Sequence, residues 1–106
     1  MAVLDNKNPN NIYGLTPFHI AALRGHLEVC KHFISVLKKK NPENNSGRTP
    51  LHFAAENGYL QICKLICNVI KEKNPKSNAG VSPIDLAKKN GHSEVLNYLK
   101  EVNNMA

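Results

Sequence analysis

The chain has 106 residues, room for one domain and too few for a second independent core. Hydrophobic residues make up 42% and charged residues 21%, which excludes a disordered chain, and aromatics at 6% with no Trp exclude a large aromatic cluster. A net charge of +6 raises nucleic acid or an acidic partner as candidates, while no apolar run approaches the ~20 residues that span a bilayer.

Taken in chain order, Met1 to Lys7 lack the basic-then-apolar layout of a signal peptide. Thr16 is positioned to cap a first helix, with Pro17 preorganised for its opening turn. Apolar residues and Ala follow for two turns until Gly25, a left-handed stop. A second helix starts at once, and Leu27, Val29, Cys30, Phe33, Ile34 and Leu37 trace one buried face at helical spacing. Asn41, held out of the helical region by Pro42, is expected to end it, and 43–47 is turn chemistry. The same elements return from Thr49 and again from Ser82, with helix stops at Gly58 and Gly91 and a second Asn-Pro step at Asn74 and Pro75.

The period is 33: 49 − 16 and 82 − 49 agree, without a gap. Thr16 to Ala22, Thr49 to Ala55 and Ser82 to Lys88 are three copies of one Thr-Pro-Leu-His-type core. A 33-residue unit with that core resembles the ankyrin repeat. The resemblance implies an all-α fold, an α/α solenoid of stacked helix pairs with hairpin-like loops. It divides the chain into a preceding tail and first finger at 1–15, repeats at 16–48 and 49–81, and a C-terminal capping repeat with a short tail at 82–106. Leu37 and Ile70 stand where family members usually carry Gly. The expectation is therefore a second helix about one turn longer than usual, running through Lys38, Lys39 and Lys40.

Register comparison distinguishes the ends. Ala22 and Ala55 become Lys88, Leu27 and Leu60 become Ser93, and Ile34 and Cys67 become Lys100. Three positions turning polar together is what a terminal cap requires. Ala2 to Pro9 instead aligns with Ser35 to Pro42, so the chain is expected to open inside an earlier second helix, as the C-terminal part of a longer array. A short protein capped minimally by Ala2 to Leu4 is the alternative. A monomer is expected, with self-association open to the uncapped N-terminal face.

Residues able to carry chemistry read as structure. His19 and His52 are expected to tie the capping Thr to neighbouring backbone, while His26 and His92, after helix-ending glycines, are expected to satisfy backbone donors. His32 is expected to be partly exposed. Cys63 and Cys67 lie four apart, a spacing metal ligands use, but their register partners Cys30, Leu96 and Ile34 mark them as small hydrophobes. No acid recurs beside a His and no glycine run cradles phosphate. The expectation is no enzyme, no cofactor and no metal, although repeats of this kind also occur in enzymes whose catalytic domain lies elsewhere. The odd cysteine count points to a cytoplasmic setting, or a nuclear one.

The resemblance implies a protein-binding module that uses finger tips and the exposed side of the first helices. In this sequence those positions are Ile12, Tyr13, Leu15, Leu23 and Arg24; Asn45, Ser46, Arg48, Glu56 and Asn57; and Asn78, Ala79, Val81, Lys89 and Asn90. Ile12, Tyr13, Leu15 and Leu23 form an apolar set beside Arg24, in the manner of an interface hot spot, or else pack against a preceding repeat. The alternative reading is polyanion or nucleic-acid binding along a lysine-rich edge of Lys38, Lys39, Lys40, Lys71 and Lys73. Those lysines are also expected to complement the helix dipole, and no interleaved aromatic or recognition helix supports a nucleic acid.

Overall fold

The computed structural model describes residues 13–104. Six helices follow in order: α1 Pro17–Arg24, α2 Leu27–Val36, α3 Pro50–Glu56, α4 Leu60–Cys67, α5 Pro83–Lys89 and α6 Ser93–Asn104. No strand occurs among the described residues. Ile12 and the expected tail of a preceding repeat, up to that residue, lie outside them.

Each first helix begins as its sequence dictates. Thr16, Thr49 and Ser82 are extended, with ψ of 166°, 168° and 165°, and the proline that follows enters the first turn. α1 stops at Gly25, whose φ of 76° is left-handed. The amide of His26 then donates back to the Ala21 carbonyl at 2.9 Å, as Tyr59 does to Ala54 and His92 to Ala87. That bond satisfies a carbonyl the helix end would leave bare and aims the chain into the second helix.

The second helices correct an expectation. α2 ends at Val36 and α4 at Cys67, well short of Asn41 and Asn74. Leu37 leaves the helix extended, with ψ of 138°, and packs against the core; Ile70, one period later, is buried. Burying an apolar side chain is worth about 1.5–3 kcal/mol, more than continuing one helical turn on a lysine-rich, solvent-facing segment returns. The Asn-Pro steps therefore lie in the connection to the finger rather than at a helix end.

α1 packs on α3 and α3 on α5, while α2 packs on α4 and α4 on α6, giving two parallel rows in a body of 45 × 29 × 20 Å. First helices of seven or eight residues are too short to hold alone, so their stability comes from this stacking. Ala21, Ala22, Ala54, Ala55 and Ala87 are buried and keep the first row close, and Phe18, Leu51, Ile62, Ile66 and Leu99 fill the space between rows. Cys30, Cys63 and Cys67 are buried among them as free thiols. At the last pair, Asp85, Lys88 and Lys100 are exposed where His52, Ala55 and Cys67 are buried one period earlier, and Ser93 is exposed where Leu60 is half-buried. Little desolvation opposes charge at these exposed positions, so it is tolerated.

Two glycines separate backbone strain from packing. A Cβ on Gly25 would lie 2.8 Å from Cζ of Tyr59, whose ring covers it, whereas Gly91, with φ of 73°, has nothing within 4 Å. Gly91→Ala is expected to cost about 1–2 kcal/mol, the penalty of the left-handed conformation alone. Gly25→Ala is expected to lose more, because Tyr59 must also be displaced. Urea denaturation of the two variants measures the difference, and equal losses would remove Tyr59 from the packing argument.

Candidate functional site

The fingers between helix pairs are built from side-chain and backbone bonds. Oδ1 of Asn44 accepts the amides of Ser46 and Arg48, both at 2.9 Å, and the Asn44 amide donates to the Arg48 carbonyl at 2.9 Å. One period later Ser77 does the same work: its Oγ accepts the Val81 amide at 3.2 Å and its amide donates to the Val81 carbonyl at 2.8 Å. Fingers are then tied to each other. The Asn45 amide donates to Tyr13 at 2.9 Å, the Asn78 amide to Ser46 at 2.8 Å, and the Asn78 side chain to the Asn45 carbonyl at 3.1 Å.

Between these fingers and the first helices α3 and α5 lies a groove of about 490 Å³. Ser46, Arg48, Glu56, Ala79, Val81 and Lys89, all expected at the recognition surface, line it together with Asn45 and Asn78. Ser77 and Leu86 also line it and were missed. The signal for Ser77 was its register with Asn44, which caps the previous turn; Leu86 reads as a core position because its register partner Phe53 is apolar too.

Arg48 is held rather than mobile. Its Nη2 meets Oε1 of Glu56 at 3.0 Å and its guanidinium carbon sits 4.6 Å from the centre of the Phe53 ring. Lys89 is exposed at the groove's edge and carries the charge not cancelled in that pair. The groove thus offers finger-tip polar groups, an apolar patch at Ala79, Val81 and Leu86, and excess positive charge.

The other expected residues fall elsewhere. Tyr13 is 62% exposed and Leu23 36%, and Arg24 is exposed, but none of the three lines the groove. Leu15 is half-buried and packs on the core, so the proposed apolar patch is smaller than its sequence suggested. Asn57 is also absent from the groove lining: its side-chain amide donates to the Phe53 carbonyl at 2.9 Å and closes α3, as Asn90 closes α5 on Leu86 at 3.0 Å.

The histidines show why this surface stays in place. Nδ1 of His19 accepts the Thr16 amide at 3.0 Å, and Nε2 lies 2.9 Å from the Arg48 carbonyl in the next finger. His52 repeats this with the Thr49 amide at 2.9 Å and the Val81 carbonyl at 2.9 Å. An amide can only donate and a carbonyl can only accept, so each ring is neutral with its proton on Nε2. Burial holds both pKa values below the ordinary histidine value, against the opposing pull of the carbonyls. In the last pair Asp85 takes the position, accepting the Ser82 amide at 3.0 Å, and that bond holds its carboxyl below the usual range. His92 departs from expectation. Its Nε2 lies 3.0 Å from the Glu56 carbonyl, an acceptor rather than a donor, so the ring supplies the proton.

Other chemistry finds little to work with. Burial pushes Cys30 and Cys67 up to about 11 and Cys63 up to about 12, so none is a ready thiolate. Among the described residues there is no group of three or more metal-ligating side chains, and no helix is long and apolar enough to cross a membrane.

Compared with known families, the chain matches the model described as ankyrin repeats (3 copies) over residues 2–76 and 39–106. No curated protein matches it.

The histidine geometry sets a pH dependence. Because the folded pKa values lie below the unfolded value of about 6.5, stability is complete above that pH. It declines as pH falls, since the unfolded chain takes up protons the folded one refuses, by at most about 1.4 kcal/mol per pH unit for each histidine. Urea midpoints measured from neutral to mildly acidic pH should show this loss, and His52→Gln should be less stable at neutral pH and flatter below it.

Proposed function

The chain belongs to the ankyrin-repeat family, whose members are generally protein–protein interaction modules, and from that premise we propose that it binds a partner polypeptide in the groove between its fingers and first helices. The observation that carries this reading is convergence: six residues drawn from two fingers and two helices meet in one concavity. The histidine bridges hold the backbone at Arg48 and Val81, one position in each finger, which lowers the ordering entropy that recognition costs. The proposed partner presents polar groups to the finger tips, an apolar side chain to Val81 and Leu86, and a negative group to Lys89. Tyr13, Leu23 and Arg24 are proposed as a flanking contact, supported by exposed apolar area beside a cation. The proposed role is non-catalytic, in keeping with a family that is generally so. The proposed setting is cytoplasmic or nuclear, supported by three free buried thiols.

Affinity capture with mass spectrometry tests this directly. Ala79→Arg, which fills the groove, and Lys89→Glu are expected to lose captured partners by at least about tenfold with helix content unchanged, since groove contacts dominate such interfaces. Tyr13→Asp with Leu23→Asp is expected to weaken capture without unfolding. Capture that survives every one of these changes would remove the groove from the interaction.

A further inference from the structure

A second surface lies where α2 and α4 end, lined by none of the groove residues. The segments 38–41 and 69–72 enclose a cleft of about 310 Å³. We propose that this cleft docks an acidic polypeptide segment that also carries apolar side chains, at a site separate from the concave groove.

The charge there exceeds what the fold uses. Lys40 donates its ammonium to the Leu37 carbonyl, and Lys73 donates to the Ile70 carbonyl at 2.6 Å, so one carbonyl just beyond each second helix is met by a lysine. Lys38, Lys39 and Lys71 remain, all exposed, and among the described residues no hydrogen bond or ion pair engages them. The expectation that the whole stripe serves the helix dipole is therefore corrected: the helices end at Val36 and Cys67, before any of these lysines. Among the described residues Glu72 is the one carboxylate lining the cleft, with four lysines, and its Oε1 lies 3.5 Å from the Asn74 amide. Among the described residues the cleft therefore carries net positive charge, four lysines against one carboxylate.

Its floor decides the partner's class. Val69 lines the cleft and is 40% exposed, so an apolar side chain sits beside the lysines; Val36, its register partner one period earlier, is 58% exposed but lies outside the lining. Among the described residues no aromatic side chain lines the cleft, so none offers a base a ring to stack on. Carboxylates answer the ammonium groups, and a leucine-like side chain covers Val69. A polypeptide supplies both, whereas a nucleic acid supplies only the charge.

Fluorescence anisotropy with labelled probes tests the assignment on the full chain. The probes are a peptide of glutamates interrupted by leucines, the same peptide with serine for leucine, and a single-stranded oligodeoxynucleotide of equal charge. The leucine peptide should bind most tightly. Lys38→Glu with Lys71→Glu should weaken it at least about tenfold, a charge-reversal effect at a complementary surface. Val69→Ser should weaken it while leaving the serine peptide unchanged. Lys88→Glu with Lys89→Glu, and the groove variant Ala79→Arg, should leave it intact, which separates this site from the proposed groove. Equal binding of the two peptides, tighter binding of the oligodeoxynucleotide, or indifference to reversal at Lys38 and Lys71 would overturn the proposal.

Discussion

The stack depends on a neutral imidazole spanning two repeats. His19 accepts from the Thr16 amide below and donates to the Arg48 carbonyl above, and His52 does so between Thr49 and Val81. Both rings are fully buried, so each polar atom must find a partner or cost the free energy of an unmet hydrogen bond. Satisfying both nitrogens fixes the start of a helix and the base of the following finger in one step. Finger position, and with it the groove, follows from that bridge. A carboxylate at this position has no proton to donate upward, so Asp85 is suited to the last pair, where it caps its own helix and stays exposed.

The linker between paired helices carries a second register device. Tyr59 lies over Gly25 and His92 over Gly58, so the residue after each helix stop covers the glycine of the pair before it. His92 adds a hydrogen bond to the Glu56 carbonyl. The identities differ, a phenol in one linker and an imidazole in the next, because what the position requires is a flat ring of the right reach. Apolar contact and a single polar bond are alternative means of holding adjacent pairs in register.

Stacking also sets which residues are available to a partner. Positions facing a neighbouring pair are used up by alanines, leucines, isoleucines and cysteines. Finger tips and the free sides of first helices face no neighbour, and their chemistry changes from copy to copy without disturbing the core. Beyond the second helices the inward turn of Leu37 and Ile70 throws the following lysines outward, which concentrates charge along one edge. Two surfaces of unlike character thus arise from one repeated unit: a mixed polar and apolar groove, and a basic edge with the exposed Val69 beside its lysines.

Read alone, the sequence determined the repeat period, the helix starts at Thr16, Thr49 and Ser82, the glycine stops, the buried cysteines and the polar outer face of the last pair. These are local or periodic features, and capping chemistry, proline and glycine constraints and register comparison reach them without coordinates. Only the tertiary structure decided where the second helices end, because competition between continuing a turn and burying Leu37 or Ile70 depends on a core that the periodic pattern does not locate. It likewise decided that the Asn57 side chain closes a helix on the Phe53 carbonyl, that Arg48 is held by Glu56 and Phe53, and that Ser77 and Leu86 join the groove. Each of those outcomes rests on distance between side chains from different elements, a quantity that spacing along the chain does not contain.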